Sequence, residues 1–111
     1  MTKIAVPVTE GKLNQHFGHT QNFYVYEVDN DRILSLDKID PPVHQPGVYP
    51  KFLADIGVTD VIASGMGQKA ISLFNQNKIN VFVGVPIKDP ELLVQDFIEG
   101  TLETRDNSCD H

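Results

Sequence analysis

Hydrophobic and polar positions follow two regimes along this chain. Up to Ile39 the apolar residues come in short β-type runs; beyond the proline-rich stretch at 41–47 such runs alternate with helical spacing. Ile4 to Val8 is a compact apolar run, and Pro7 removes a ladder donor, which predicts that the strand stops there. Thr9 to Thr20 is predicted to be a loop, because Gly11, Asn14 and Gly18 interrupt any period. Phe23 to Val28 joins aromatic and β-branched residues, Asp29-Asn30-Asp31 has turn composition, and Ile33 to Ile39 alternates apolar with polar. The three together predict a hairpin.

In the second regime, Pro50 opens a helix with Val48, Phe52, Leu53 and Ile56 near one face, and Gly57 stops it. Val58 to Ser64 reads as a buried strand. Gly65-Met66-Gly67 then leads into a helix from Gln68 to about Asn77, with Ala70, Ile71 and Phe74 inward. Ile79 to Val85 is the last strand. Asp89-Pro90-Glu91 starts a helix that buries Leu93 and Phe97, with Leu92 beside them, and ends at Gly100. The order β-β-β-α-β-α-β-α predicts an α/β fold: a mixed five-stranded sheet flanked by helices.

Length and composition restrict this picture to one globular domain. The chain has 111 residues, 41% of them hydrophobic. No apolar run approaches the roughly 20 residues a membrane span needs, and the N-terminus enters a strand-like run without a signal-peptide core. A single cysteine suits a reducing compartment, so the expected location is cytoplasmic. The net charge of −6, with no basic stripe, argues against a nucleic-acid partner.

Candidate chemistry lies outside the regular elements. Three of the four histidines and the only cysteine fall in the loop segment His16-Phe17-Gly18-His19 and the terminal Cys109-Asp110-His111. Imidazole suits zinc, iron, copper or nickel, and thiolate suits softer centres. Cys109 and His111, two apart, fall on one side of an extended tail, roughly 7 Å apart. The bland alternatives are two solvated loop histidines and a loose terminus. Gly65-Met66-Gly67 is open to three readings: a tight turn, an anion cradle at a helix N-terminus reinforced by Lys69, or a turn lending the Met66 thioether. His44, between prolines, reads as a solvated loop residue. No phosphate loop, nucleophile elbow or two-metal carboxylate set is present. In open α/β sheets ligands bind beyond the carboxyl ends of parallel strands, which would bring Thr9–Thr20, Gly65–Gly67 and Pro86–Asp89 to one crevice.

Ile4-Ala5-Val6-Pro7, His16-Phe17-Gly18-His19, Ser64-Gly65-Met66-Gly67-Gln68-Lys69-Ala70 and the terminal Cys-x-His together resemble the dinitrogenase iron-molybdenum cofactor biosynthesis family. That family includes nitrogenase accessory factors and small stand-alone proteins similar to the orange protein of sulfate reducers. The resemblance implies a three-layer α/β/α, ribonuclease H-like fold with strand order 3-2-1-4-5. It implies a cluster-binding domain over residues 1–100, with 101–111 expected as a flexible C-terminal tail. The implied function is non-catalytic: carriage of an iron–sulfur or molybdenum-containing (Mo–Fe or Mo–Cu) sulfide cluster, in exchange with a cofactor-assembly or recipient metalloprotein. His16, Phe17, Gly18, His19, Gly65, Met66, Gly67 and Lys69 would line the cluster site, with His16, His19, Cys109 and His111 as metal ligands. Many members carry arginine where this chain has His19. Two other functions remain open on the residues alone: a small metal-dependent hydrolase using His16, His19 and a water, and a regulatory module that binds a small anion.

Overall fold

The computed structural model describes residues 2–9, 11–13, 20–41 and 48–104. In chain order the elements are β1 (Thr2–Thr9), β2 (Lys12–Leu13), β3 (Asn22–Asp29), β4 (Arg32–Ile39), α1 (Val48–Asp55), β5 (Asp60–Ile62), α2 (Gln68–Gln76), β6 (Asn80–Phe82) and α3 (Pro90–Glu99). The sheet runs β4-β3-β1-β5-β6, with β2 folded back onto the end of β1. β1 pairs antiparallel with β3 and parallel with β5, and β5 pairs parallel with β6. With β2 set aside, the path is the expected 3-2-1-4-5; β2 makes the sheet six-stranded.

Two expectations for the first third need correction. β1 does not stop at Pro7, which pairs with Phe23, and the strand continues to Thr9. The backbone of Lys3 bonds Thr59, on the β5 side, whereas the carbonyl of Val8 accepts from Gln21 on the β3 side. By alternation Pro7 turns its nitrogen toward β5, where paired residues end at Ala5. The missing donor therefore removes no bond from the β1–β3 ladder. Nor is Thr9–Thr20 loop throughout, since Lys12 and Leu13 pair with Thr9 and Val8.

β1 is buried on both faces, as a central strand must be. Ile4, Val6 and Val8 join Tyr26, Val28, Ile62, Leu93 and Val94 in a core beneath α3. Ala5 joins Phe23, Val25, Val61, Leu53, Met66 and Phe74 in a second core beneath α1 and α2. The two cores establish the three layers. Across them, Phe23 meets Tyr49 edge-on at 5.2 Å and Phe82 meets Phe97 at 5.4 Å. On α3 the inner face is set by Pro90, Leu93, Val94 and Phe97, at i, i+3, i+4 and i+7. That phase leaves Leu92 54% exposed, so it is not a core residue. Gly100 closes α3 in the left-handed conformation, φ 76°.

Candidate functional site

β1, β5 and β6 are parallel, so the segments leaving their carboxyl ends emerge on one edge of the sheet. Backbone bonds tie these segments together. The N–H of Leu13, in the segment after β1, donates to the carbonyl of Lys88, in the segment after β6, at 3.4 Å. The N–H groups of Gly84 and Val85 donate to Ser64 and Ala63 at 2.8 and 3.3 Å, clasping the exits of β6 and β5. Gly84 has φ 71°, which a glycine tolerates at no steric cost. This clasp interrupts the run expected as a strand over Ile79–Val85; the glycine between two valines is the sequence signal for it.

The loop after β1 is pinned at both stems. Leu13 is buried in the core under α3. On the returning side, Thr20 Oγ1 lies 3.1 Å from the Val8 carbonyl and 2.6 Å from the Asn22 carbonyl. Its one hydroxyl proton serves either acceptor. Residues 14–19, and with them His16, Phe17, Gly18 and His19, lie outside the described residues. So do His44, Cys109 and His111.

The glycine turn is described in full. Gly65 and Met66 are buried and Gly67 is exposed. Met66 is 1% exposed and packs in the core beneath α1 and α2. Its thioether anchors the turn from below. Gly67 is the N-cap of α2, in extended conformation, and provides no side-chain cap. An added Cβ there would meet nothing within 4 Å. The N–H groups of Lys69 and Ala70 precede the first bond of the α2 ladder, from the Ile71 N–H to the Gly67 carbonyl at 3.1 Å. Lys69, exposed, follows on the same turn.

Charge is unequal between the starts of α2 and α3. On the α3 side, the Tyr26 hydroxyl is pushed up to about 12 by burial first, then by Glu91, Tyr24 and Asp89. Asp89 and Glu91 thus give the start of α3 a negative field. On the other side stand the positive end of the α2 dipole and the Lys69 ammonium. The field beside Gly67 is thus positive relative to that at the start of α3. Among the described residues no group of three or more His, Cys, Asp or Glu could hold a metal ion. The described part of this edge presents the glycine turn and the backbone start of α2. Lys88 Nζ approaches Asp96 at 3.7 Å, an exposed pair of little energetic weight.

Comparisons with known proteins agree with this architecture. The family profile described as dinitrogenase iron-molybdenum cofactor matches residues 1–100. An uncharacterised protein of Methanocaldococcus jannaschii is 31% identical over 108 residues, covering 93% of this chain and 91% of that protein. The crystal structure of PH0822 superposes with a TM-score of 0.88 at 25% identity, covering 95% of this chain and 96% of that one. The apo form of the orange protein from Desulfovibrio gigas shares the fold, with a TM-score of 0.77 at 21% identity and coverage of 96% and 95%. No helix among the described residues is long and apolar enough to cross a membrane.

Proposed function

The chain belongs to the dinitrogenase iron-molybdenum cofactor family, and on that premise we propose that it is a non-catalytic carrier of a metal–sulfide cluster. The cargo is an iron–sulfur or molybdenum-containing (Mo–Fe or Mo–Cu) sulfide cluster, received from or delivered to a cofactor-assembly or recipient metalloprotein. The setting is reducing and cytoplasmic. The observation that carries this reading is the uncapped start of α2 at Gly67, opening beside the exits of three parallel strands.

A carrier must hold a bulky, often anionic cluster firmly enough to protect it and loosely enough to release it. Backbone N–H groups and a helix dipole suit that task, because they donate to bridging or terminal sulfide without forming metal bonds. His16 and His19 supply imidazole ligands, and Cys109 with His111 supplies a thiolate and a third imidazole from the C-terminal segment. Lys69 adds positive field near Gly67, Gly65 keeps the turn close to the strand end, and Met66 fixes its depth. The hydrolase and anion-module alternatives gain no support from the comparisons.

Anaerobic isolation from the native host, followed by metal and sulfide analysis and a visible spectrum, tests the proposal. Molybdenum, iron or copper together with acid-labile sulfide and intense charge-transfer bands are expected. Stoichiometric zinc in a colourless protein would contradict it.

A further inference from the structure

We propose that β4 is a self-association surface through which two copies of this chain pair edge to edge. β4 ends the sheet path and pairs only with β3 among the described strands. Leu34 and Leu36 on it are 54% and 40% exposed. An eight-residue edge carrying two exposed leucines is a template for another strand.

The occupant follows from parity and charge. A two-fold axis between two antiparallel strands places each residue opposite its mirror in sequence, and opposed side chains must project on the same face. In a regular strand, residues three or five apart face opposite ways. β4 is not regular. Its register against β3 shifts between Glu27 and Val28: Glu27 pairs with Ser35 and Val28 with Ile33, leaving Leu34 as the extra residue of a bulge. Ile33 and Leu36 therefore share the α3 face, opposite Val28 and Tyr26 of the core there. Arg32 and Asp37 share the other face, opposite Asp29 and Val25.

With the axis between Leu34 and Ser35, Arg32 stands opposite Asp37 of the second copy, and Ile33 opposite Leu36. Asp31, in the turn, stands opposite Lys38. Each of these three pairs occurs twice and is complementary, while at the axis itself Leu34 meets Ser35 of the second copy. Moving the axis half a residue either way sets Arg32 against Lys38 or Asp31 against Asp37, and it also breaks the facial match. Charged edges and bulges commonly prevent strand pairing. Here they permit one register with a copy of the same strand and penalise its neighbours.

The contact is small, in the class below roughly 1,200 Å² that gives weak, exchanging complexes. Sedimentation of the full chain from about 10 µM to about 1 mM, where such interfaces associate, tests it. The average mass should rise with concentration from 12.4 kDa toward twice that value, and less so at high salt. Arg32→Asp alone and Asp37→Arg alone should each weaken association about tenfold or more, and the double exchange should restore it. All four proteins should show the same circular dichroism, because both positions are exposed; Arg32→Asp, which faces Asp29 within its own chain, lowers the melting temperature slightly, and that loss should persist in the double exchange while association returns. A monomer at every concentration would overturn the proposal. So would a dimer indifferent to the single exchanges, or one that the double exchange fails to restore.

Discussion

The two edges of the sheet use polar groups in opposite ways. At the edge where β1, β5 and β6 begin, side chains lock the strands together. Thr59 Oγ1 accepts from the Lys3 N–H at 3.1 Å and donates to Asp60 Oδ2 at 2.7 Å, while Asn80 Nδ2 donates to Asp60 Oδ1 at 3.0 Å. Lys3 Nζ donates to the Ile56 carbonyl at 2.8 Å, just past the end of α1, where a cation is favoured. Asp60 is 6% exposed, yet its carboxylate is bonded on both oxygens. At the opposite edge, apart from the Thr20 hydroxyl at one loop stem, the loops are joined by backbone bonds, and Gly67 gives α2 no side-chain cap. Side chains bridge the strand starts at one edge; at the other, backbone groups make most of the contacts between the loops.

That contrast is most sharply tested where it should cost stability alone. Asp60→Ala removes the charged acceptor of the Asn80 amide and the Thr59 hydroxyl, leaving the hydroxyl only the Lys3 carbonyl, and unfolding in denaturant should show a loss of about 1–3 kcal/mol. Cluster retention by the folded fraction should stay at the wild-type level. A loss of retention larger than the loss of folded protein would mean that the two edges are not separable.

The next effect is set by pH. The folded-state pKa of Tyr26 lies near 12, above the ordinary value of 10.0. The unfolded chain therefore ionises first, so stability is complete below pH 10 and falls as pH rises toward 12. Melting temperatures measured across that interval should decline, and Tyr26→Phe should flatten the decline. An unchanged slope in the variant would remove the argument for a negative field at the start of α3.

The smallest stability change should accompany a large change in binding. Gly67→Asp adds an N-cap to α2 in open space, at an extended backbone any residue adopts, and should raise stability by a few tenths of a kcal/mol. The same carboxylate competes for the N–H groups and repels an anion, so cluster retention should fall several-fold. A stabilised variant with full retention would move the site away from α2.

Much of the fold was legible because it rests on local patterns. The hairpin turn, with Asn30 and Asp31 both at positive φ, is announced by Asp-Asn-Asp between two strands. Asp89-Pro90-Glu91 marks the start of α3, and Gly100 its end. What escaped depends on neighbours. Whether Pro7 ends a strand turns on which side its nitrogen faces, a property of the β5 register. The short β2 and the Gly84 clasp exist only because other strand exits lie beside them. Leu92 is as apolar as Leu93, and only the phase of α3 separates them. For the site, the glycine turn was recognisable from composition, but the burial of Met66 within it depends on α1 and α2 packing over the sheet.

The most direct measurement of the central claim is cluster retention after anaerobic loading and gel filtration, read as residual charge-transfer absorbance per folded protein. Wild type, His16→Ala, Cys109→Ser, Gly67→Asp and Asp60→Asn should be compared side by side. Absorbance should fall in the first three variants and stay at the wild-type level in Asp60→Asn, at the locked edge. Equal retention in all five proteins, or a loss confined to Asp60→Asn, would contradict a cluster site at the carboxyl edge.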